Sequence, residues 1–150
     1  MYTFVLATHN MVRWLVLIVG LIAVVMAFVG WFGRKEWRST DDKVGLAYTT
    51  LLDVNLLLGL LLYIFLSPVT KAAFANFGAA MGDSLLRFFA VEHIFGMIVA
   101  IALAHVGRSR SKKASDSVKK YRTVAIWFAL SLVAIFAMIP WDRPFFRGFF

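Results

Sequence analysis

Four long apolar stretches dominate the chain, and the charged residues gather in the segments between them. The stretches run from about 4 to 32, 44 to 66, 85 to 106 and 124 to 139. Each is long enough to cross the hydrocarbon layer as a helix, which takes roughly 20 apolar residues. Short connections make successive helices antiparallel. The pattern predicts an all-α fold, an integral membrane antiparallel four-helix bundle, with residues 1–150 forming a single transmembrane domain.

Proline marks the end of two of these stretches. The second ends at Ser67–Pro68 and the fourth at Pro140–Trp141, because the residue before a proline disfavours helical geometry. Residues 69–84 alternate small and apolar side chains, which predicts an interfacial loop or a short surface helix. The tail 142–150 carries aromatic and arginine side chains that suit the headgroup layer.

The composition agrees with a membrane protein. Hydrophobic residues make up 61% of the chain and charged residues 16%, against about 45–50% apolar in a soluble domain. The net charge of +8 comes from loops between apolar spans, so we expect anionic lipid and not nucleic acid as the partner. The chain has no cysteine, which excludes disulfides, thiolate-held iron–sulfur clusters and covalently attached c-type haem. No basic segment precedes the first stretch, so we expect no cleaved signal peptide.

The distribution of Lys and Arg predicts the orientation. Four lie in residues 34–43 and seven in residues 108–122, against two in the middle loop and two in the tail. Short loops rich in Lys and Arg stay in the cytoplasm. We therefore expect a multi-pass protein of a bacterial inner (cytoplasmic) membrane, with the N and C termini outside.

Ionisable residues at membrane depth are costly, so each needs a buried partner or a function. Five lie toward the predicted outer end: His9, Arg13, Arg87, Glu92 and His93. His9 and His93 lie at matched depths, roughly 8–13 Å into the first and third helices. Together they could ligate the iron of a six-coordinate haem b, with Arg13 pairing a propionate. Alternatively, Arg13 pairs with Glu92, and the two histidines bind backbone or loop groups.

Small residues follow both histidines along one helix face. They are Val16, Gly20, Ala23 and Ala27 in the first helix, and Gly96, Ala100, Ala104 and Gly107 in the third. Such a stripe is typical of close helix packing, and it would also leave room for a flat macrocycle. Both interpretations stay open at this point.

Asp53 and His105 form a second pair of candidates, toward the predicted inner side. His105 lies about 18 Å along the helix from His93, too far to share its iron, so one haem is the most that the histidines allow. Asp53 interrupts the second apolar stretch at a similar depth. It is either a proton-relay or quinone-site acid, or an acid that bonds hydroxyls or His105 and locks two helices together.

Several segments carry a family resemblance. They are Thr8–Trp14, Gly59–Tyr63 with Ser67–Pro68, Arg87–His93, and Ala125–Phe128 with Ile139–Trp141. With them the chain resembles, over nearly its whole length, a group of small bacterial four-helix membrane proteins labelled cytochrome b-like. The resemblance implies haem b, or an association with respiratory or photosynthetic electron transfer, and His9 and His93 match the motif histidines. Members carry a histidine in the second helix where this chain has Asp53, so the role of that histidine does not carry over.

Three functions follow from these residues. The first is a membrane electron-transfer subunit, a b-type cytochrome that passes electrons between a quinol or a partner subunit and an outer acceptor. The second is a non-catalytic accessory subunit of a larger respiratory or photosynthetic complex. The third is a small proton or ion pathway that uses Asp53 and His105. The sequence has no phosphate-binding loop and no nucleophile with a paired base, so a carrier or subunit is favoured over a stand-alone enzyme. The expected partners are the lipid bilayer, a larger membrane complex or a second copy of the chain, and a quinone.

Overall fold

The computed structural model describes residues 1–141, and within them the chain is helical with no strand. Four helices are long and apolar enough to cross a membrane, and we call them spans I to IV: Tyr2–Phe32, Ser39–Leu66, Ser84–Lys113 and Ser117–Met138. The protein is therefore an all-α, multi-pass membrane protein. The predicted headgroup-layer tail, residues 142–150, lies outside the described residues.

Spans II, III and IV extend well beyond the apolar stretches that predicted them. Span II begins at Ser39, span III continues to Lys113 and span IV begins at Ser117. The extra turns carry charged side chains, which an α-helix tolerates because its backbone hydrogen bonds are internal. Hydropathy marks the part of each helix that suits lipid, and for this reason it placed the starts of spans II and IV too late and the end of span III too early.

The connection between spans III and IV is a short turn, Ala114–Asp116. The Asp116 carboxylate accepts a hydrogen bond of 2.8 Å from the backbone N–H of Lys119, and the Lys119 ammonium lies 3.1 Å from the same carboxylate. The backbone hydrogen bond is the main reason that the pKa of Asp116 lies below its usual value. Asp116 thus caps span IV with a negative charge, as helix N-termini favour.

The connection between spans I and II is closed by a backbone turn and docked onto span IV. Arg34 adopts a left-handed conformation with φ of 48°, and the N–H of Lys35 donates to the carbonyl of Gly30 at 3.0 Å. This is a common helix ending, in which glycine usually occupies the position of Arg34. The Tyr121 hydroxyl of span IV lies 3.1 Å from the backbone carbonyl of Glu36 in this connection, and 2.8 Å from the Asp41 carboxylate at the start of span II.

Three of the four neighbouring pairs of spans pack closely: I with II, I with IV, and III with IV. Spans II and III touch much less, so spans I and III lie diagonally across the bundle. Tyr48, Phe128 and Ser131 fill its centre and are fully buried. The Tyr48 hydroxyl donates to Ser131 at 2.9 Å, and the Ser131 hydroxyl donates to the carbonyl of Ala100 at 2.8 Å.

The predicted small-residue stripes lie in this packed interior. Among them, Ala23, Ala27, Ala100 and Ala104 are almost completely buried. A Cβ added to Gly20 would lie 2.6 Å from the Tyr48 ring, and large side chains also occupy the spaces beside Gly96 and Gly107. Close helix packing therefore accounts for the stripes, and they supply no room for a macrocycle.

Two π-helical turns, Leu62–Leu66 and Phe88–Glu92, flank the segment that joins spans II and III. Hydroxyl groups satisfy carbonyls in both turns. Tyr63 donates to the carbonyl of Ala90 at 2.6 Å, and Thr70 donates to the carbonyl of Tyr63 at 2.9 Å. Such turns occur often at functional sites, and these two border the cavity described next.

Candidate functional site

A partly open cavity of about 170 Å³ lies among all four spans at the end of the bundle where the chain begins. We call this end the histidine end, and the opposite end, with the two basic connections, the basic end. Most of the lining side chains are aliphatic or aromatic. The main polar ones are His9, Asn10, Arg13, Asn55, Tyr63 and His93. Ile135 of span IV and Ile139, which directly follows this span, close the cavity.

His9 of span I is held against span II by its ring nitrogen Nδ1, which lies 3.2 Å from the backbone carbonyl of Asn55. A carbonyl oxygen only accepts hydrogen bonds, so Nδ1 must carry the hydrogen. In the neutral ring, Nε2 then keeps its lone pair. Gly59 leaves the space for this ring, because a Cβ there would lie 3.3 Å from Cε1 of His9.

His93 of span III is held in the same manner against span IV. Its Nδ1 lies 2.8 Å from the backbone carbonyl of Met138, so Nε2 again keeps the lone pair of the neutral ring. The rings of Phe88 and Phe89 pack beside the imidazole, with centroids 5.7 and 6.1 Å away. The π-helical turn that holds these two rings ends immediately before His93.

The two histidines lie on diagonally opposite spans and face one cavity. Arg13 lines the same cavity as both rings. The Arg13 guanidinium lies 5.7 Å from the centroid of the Trp14 ring. The structure thus brings together His9, Arg13 and His93, the three residues that the sequence proposed for one site.

The wall of the cavity also contains an unsatisfied acceptor. The side-chain oxygen Oδ1 of Asn55 is buried and has no hydrogen-bond partner among residues 1–141. A buried polar atom without a partner is costly, so a donor on a bound molecule or a water would stabilise this site. A polar amide inside an apolar stretch is the sequence signal for this acceptor. Asn55 was not among the candidate site residues predicted from the sequence.

Arg87 and Glu92 lie at the same end but outside the cavity lining. The Arg87 Nε is 2.7 Å from a carboxylate oxygen of Glu92, and both side chains are about half exposed. Arg87 also donates to the carbonyl of Met81 at 3.0 Å. The ion partner of Glu92 is therefore Arg87, where the alternative interpretation of the sequence expected Arg13.

Asp53 and His105 meet at a different place, on the outside of spans II and III. His105 Nε2 lies 2.8 Å from Asp53 Oδ1. The interpretation in which this pair joins two helices is confirmed as a contact. By helical rise, the pair lies about 18 Å from the position of His93, so it is not part of the cavity.

The donors around the cavity fit a haem better than a simple metal ion. No group of three or more His, Cys, Asp or Glu side chains comes together anywhere in residues 1–141. Two imidazoles alone leave most coordination positions of a metal ion open, whereas a haem supplies four nitrogens itself and takes two axial ligands. The cavity volume is close to the roughly 150 Å³ that accommodates benzene. A porphyrin is larger, so its binding requires the lining side chains to move apart.

Comparison with known proteins returned no relative. No protein-family model matches the chain, no curated protein matches it in sequence, and no solved structure matches its fold. The cytochrome b-like family therefore stays a prediction from the motifs. The functional argument rests on the cavity and its side chains.

Proposed function

We propose that the protein is a membrane electron-transfer subunit, a b-type cytochrome that holds one haem between His9 and His93. The observation that carries the proposal is the pair of imidazoles on diagonal spans facing one cavity, each with Nδ1 bound to a backbone carbonyl. Iron-ligating histidines commonly hold their other ring nitrogen in this way, which fixes the tautomer and the ring orientation. The lone pair that remains on Nε2 of each ring would bind the iron.

The groups around the cavity have defined roles in this proposal. The carbonyls of Asn55 and Met138 orient the two rings. Arg13 places a positive charge beside them, which favours the anionic propionates and the reduced state of the iron. The apolar lining, including Ile101 and Ile135, limits access of water. A bound haem would supply one-electron transfer.

The membrane and the partners are part of the same proposal. The Lys and Arg residues at the basic end, four in residues 34–43 and seven in residues 108–122, support a bacterial inner membrane with this end in the cytoplasm. The histidine end, with the N terminus, then faces outside. Electrons would pass between a quinol or partner subunit and an outer acceptor, in a larger complex or in an oligomer of this chain.

The decisive measurement is the reduced-minus-oxidised visible spectrum of the full-length protein purified in mild detergent, with pyridine extraction to identify and count the haem. We expect one haem b per chain. His9→Ala and His93→Ala should each abolish the spectrum of six-coordinate haem, because each removes an axial ligand. His105→Ala is the matched control, since it removes a histidine outside the cavity and should leave the haem content unchanged.

Two outcomes would contradict the proposal. One is a stable, colourless protein from cells that are well supplied with haem. The other is equal loss of haem in all three alanine variants while each remains folded, since this would place the haem elsewhere. Circular dichroism of each variant identifies misfolding directly. A colourless, folded protein would favour the accessory-subunit function, and co-purification of partner chains would then be the next experiment.

A further inference from the structure

A polar stripe runs along the outer surface shared by spans II and III, away from the cavity. At its centre Asp53 and His105 are hydrogen bonded, yet their side chains remain 50% and 47% exposed. Thr50 lies one turn from Asp53 and Ser109 one turn from His105, each toward the basic end and each exposed. We call these four residues the II–III polar stripe. The stripe begins in the apolar part of the spans and extends toward the basic end.

The stripe lies in a surface that otherwise suits lipid. Leu57, one turn from Asp53, is 66% exposed, and Val54, Ile98 and Val106 are exposed as well. An ionisable pair that faces hydrocarbon is costly unless hydrogen bonds satisfy it. A ligand that satisfies this pair from the bilayer must carry hydrogen-bonding groups on an otherwise apolar body.

The pair keeps unused hydrogen-bonding capacity. Its mutual bond uses one carboxylate oxygen, Oδ1, and one ring nitrogen, Nε2. Within residues 1–141, the other carboxylate oxygen of Asp53 and Nδ1 of His105 have no further hydrogen bond. A ligand with a hydroxyl group can donate to that carboxylate oxygen, and a ligand with a carbonyl group can accept from a protonated imidazole.

We propose that the Asp53–His105 pair is a binding site for the headgroup of a membrane-dissolved quinone or hydroquinone. A hydroxyl of the hydroquinone donates to the free carboxylate oxygen of Asp53, and the ring and tail lie against the exposed aliphatic side chains. Thr50 and Ser109 lie one turn from the pair on the side of the basic end, the side from which a ligand that gains and loses protons would exchange them. The site is separate from the histidine cavity, and binding there does not depend on a haem.

Other uses of the pair fit the surface less well. A proton or ion pathway across the bundle would place ionisable groups in its interior, whereas Asp53 and His105 face outward. A second copy of the chain could also cover the stripe. However, the pair itself has only one carboxylate oxygen and one ring nitrogen left for a ligand, which matches a single hydroxylated ring.

The test is a titration of the purified, full-length protein in detergent with a short-chain ubiquinone analogue and its hydroquinone, followed by quenching of tryptophan fluorescence. We expect saturable binding, weakened about tenfold or more by Asp53→Asn, because this change replaces a charge-assisted hydrogen bond with a neutral one. His105→Gln should weaken it also. Asp42→Asn, the same change at an exposed residue of the basic end, should leave the affinity unchanged, as should His93→Ala in the cavity.

Three results would overturn the proposal. The first is absence of saturable binding, and the second is an unchanged affinity in Asp53→Asn. The third concerns the oligomeric state. If the parent protein binds no quinone and is a dimer, and Asp53→Asn makes it a monomer, the stripe is a contact with a second copy of the chain. The haem-to-chain ratio of Asp53→Asn should equal that of the parent protein, so failure of this site is distinguishable from failure of the cytochrome proposal.

Discussion

The two halves of the bundle are built from the same four spans but are packed differently. Toward the basic end, the rings of Tyr48, Tyr121 and Phe128 are almost completely buried, and both tyrosine hydroxyls are hydrogen bonded. Toward the histidine end, the spans enclose a cavity in which the amide oxygen of Asn55 has no partner in residues 1–141. Because these helices pack tightly in one half, the cavity in the other half is not explained by an inability to pack.

The polar groups at the centre of the packed half have hydrogen-bond partners, whereas those that line the cavity keep unused hydrogen-bonding capacity. In the packed half, Ser131 links Tyr48 to the carbonyl of Ala100 and all three groups are satisfied. In the cavity half, His9 and His93 each use one ring nitrogen for a backbone carbonyl and retain a lone pair on the other. A completed network stabilises a fold, whereas an open one can bind a ligand. This difference can be tested by making the same change, glycine to alanine, in each half of the bundle.

The largest effect is expected where a methyl group enters the packed half. Gly20→Ala would place Cβ 2.6 Å from the Tyr48 ring and 2.9 Å from Leu132, and Gly30→Ala would overlap the Tyr121 ring. We expect each change to lower the free energy of unfolding by about 1–3 kcal/mol, as overpacking of a filled core does. Unfolding by SDS titration in mixed micelles, monitored by tryptophan fluorescence, measures this.

Gly78→Ala is the matched control for these two variants. A Cβ at Gly78 meets no atom within 4 Å, and alanine is the better helix former by about 1 kcal/mol. The control should therefore be as stable as the parent protein or more so. If Gly20→Ala were equally harmless, the interior near Tyr48 would be looser than the structure describes, and the contrast between the halves would fail.

A smaller effect is expected from opening the hydrogen-bonded network of the packed half. Ser131→Ala removes the acceptor of the Tyr48 hydroxyl and the donor to Ala100. We expect a loss of about 1 kcal/mol, since hydrogen bonds between membrane helices average about 0.6 kcal/mol with a maximum near 1.7. Tyr48→Phe should cost less once Ser131→Ala is present than in the parent protein. Strict additivity of the two changes, measured by the same titration, would argue against the network.

Much of the fold could be predicted from the sequence, because lipid imposes a strong and simple pattern. The apolar stretches located all four spans, and the three- and four-residue spacing placed Ala23, Ala27, Ala100 and Ala104 on buried faces. The helix ends could not be predicted from hydropathy, since charged residues such as Lys113 continue a helix into the headgroup layer. The sequence also left open whether the small-residue stripes serve helix packing or ligand binding, because it does not show which side chain fills the space beside a glycine.

Less of the candidate site could be predicted. The sequence predicted that His9 and His93 lie at the same depth in the membrane, because depth follows from position along a helix. The partners of their Nδ1 atoms are backbone carbonyls, and a backbone group carries no signature in the sequence. The π-helical turns were missed for a related reason, since the hydrogen bond from Tyr63 to Ala90 joins residues of two different spans. Asp53 and His105 were matched by depth as well, and which side of the bundle they face emerged only from the three-dimensional arrangement.

The smallest effect on stability is expected in the cavity half, at Gly59. An added Cβ would lie 3.3 Å from Cε1 of His9, so the ring must yield by a few tenths of an ångström. Beside a cavity the ring has room to do so, and the better helix propensity of alanine offsets the cost. We expect the free energy of unfolding of Gly59→Ala to change by less than about 0.5 kcal/mol. The haem content or the absorption maximum should nevertheless change, because the displaced ring is a proposed iron ligand.

A loss of stability as large as that of Gly20→Ala would mean that both halves are equally tightly packed. An unchanged stability with an altered spectrum would mean that His9 is free to move and that its position matters for binding.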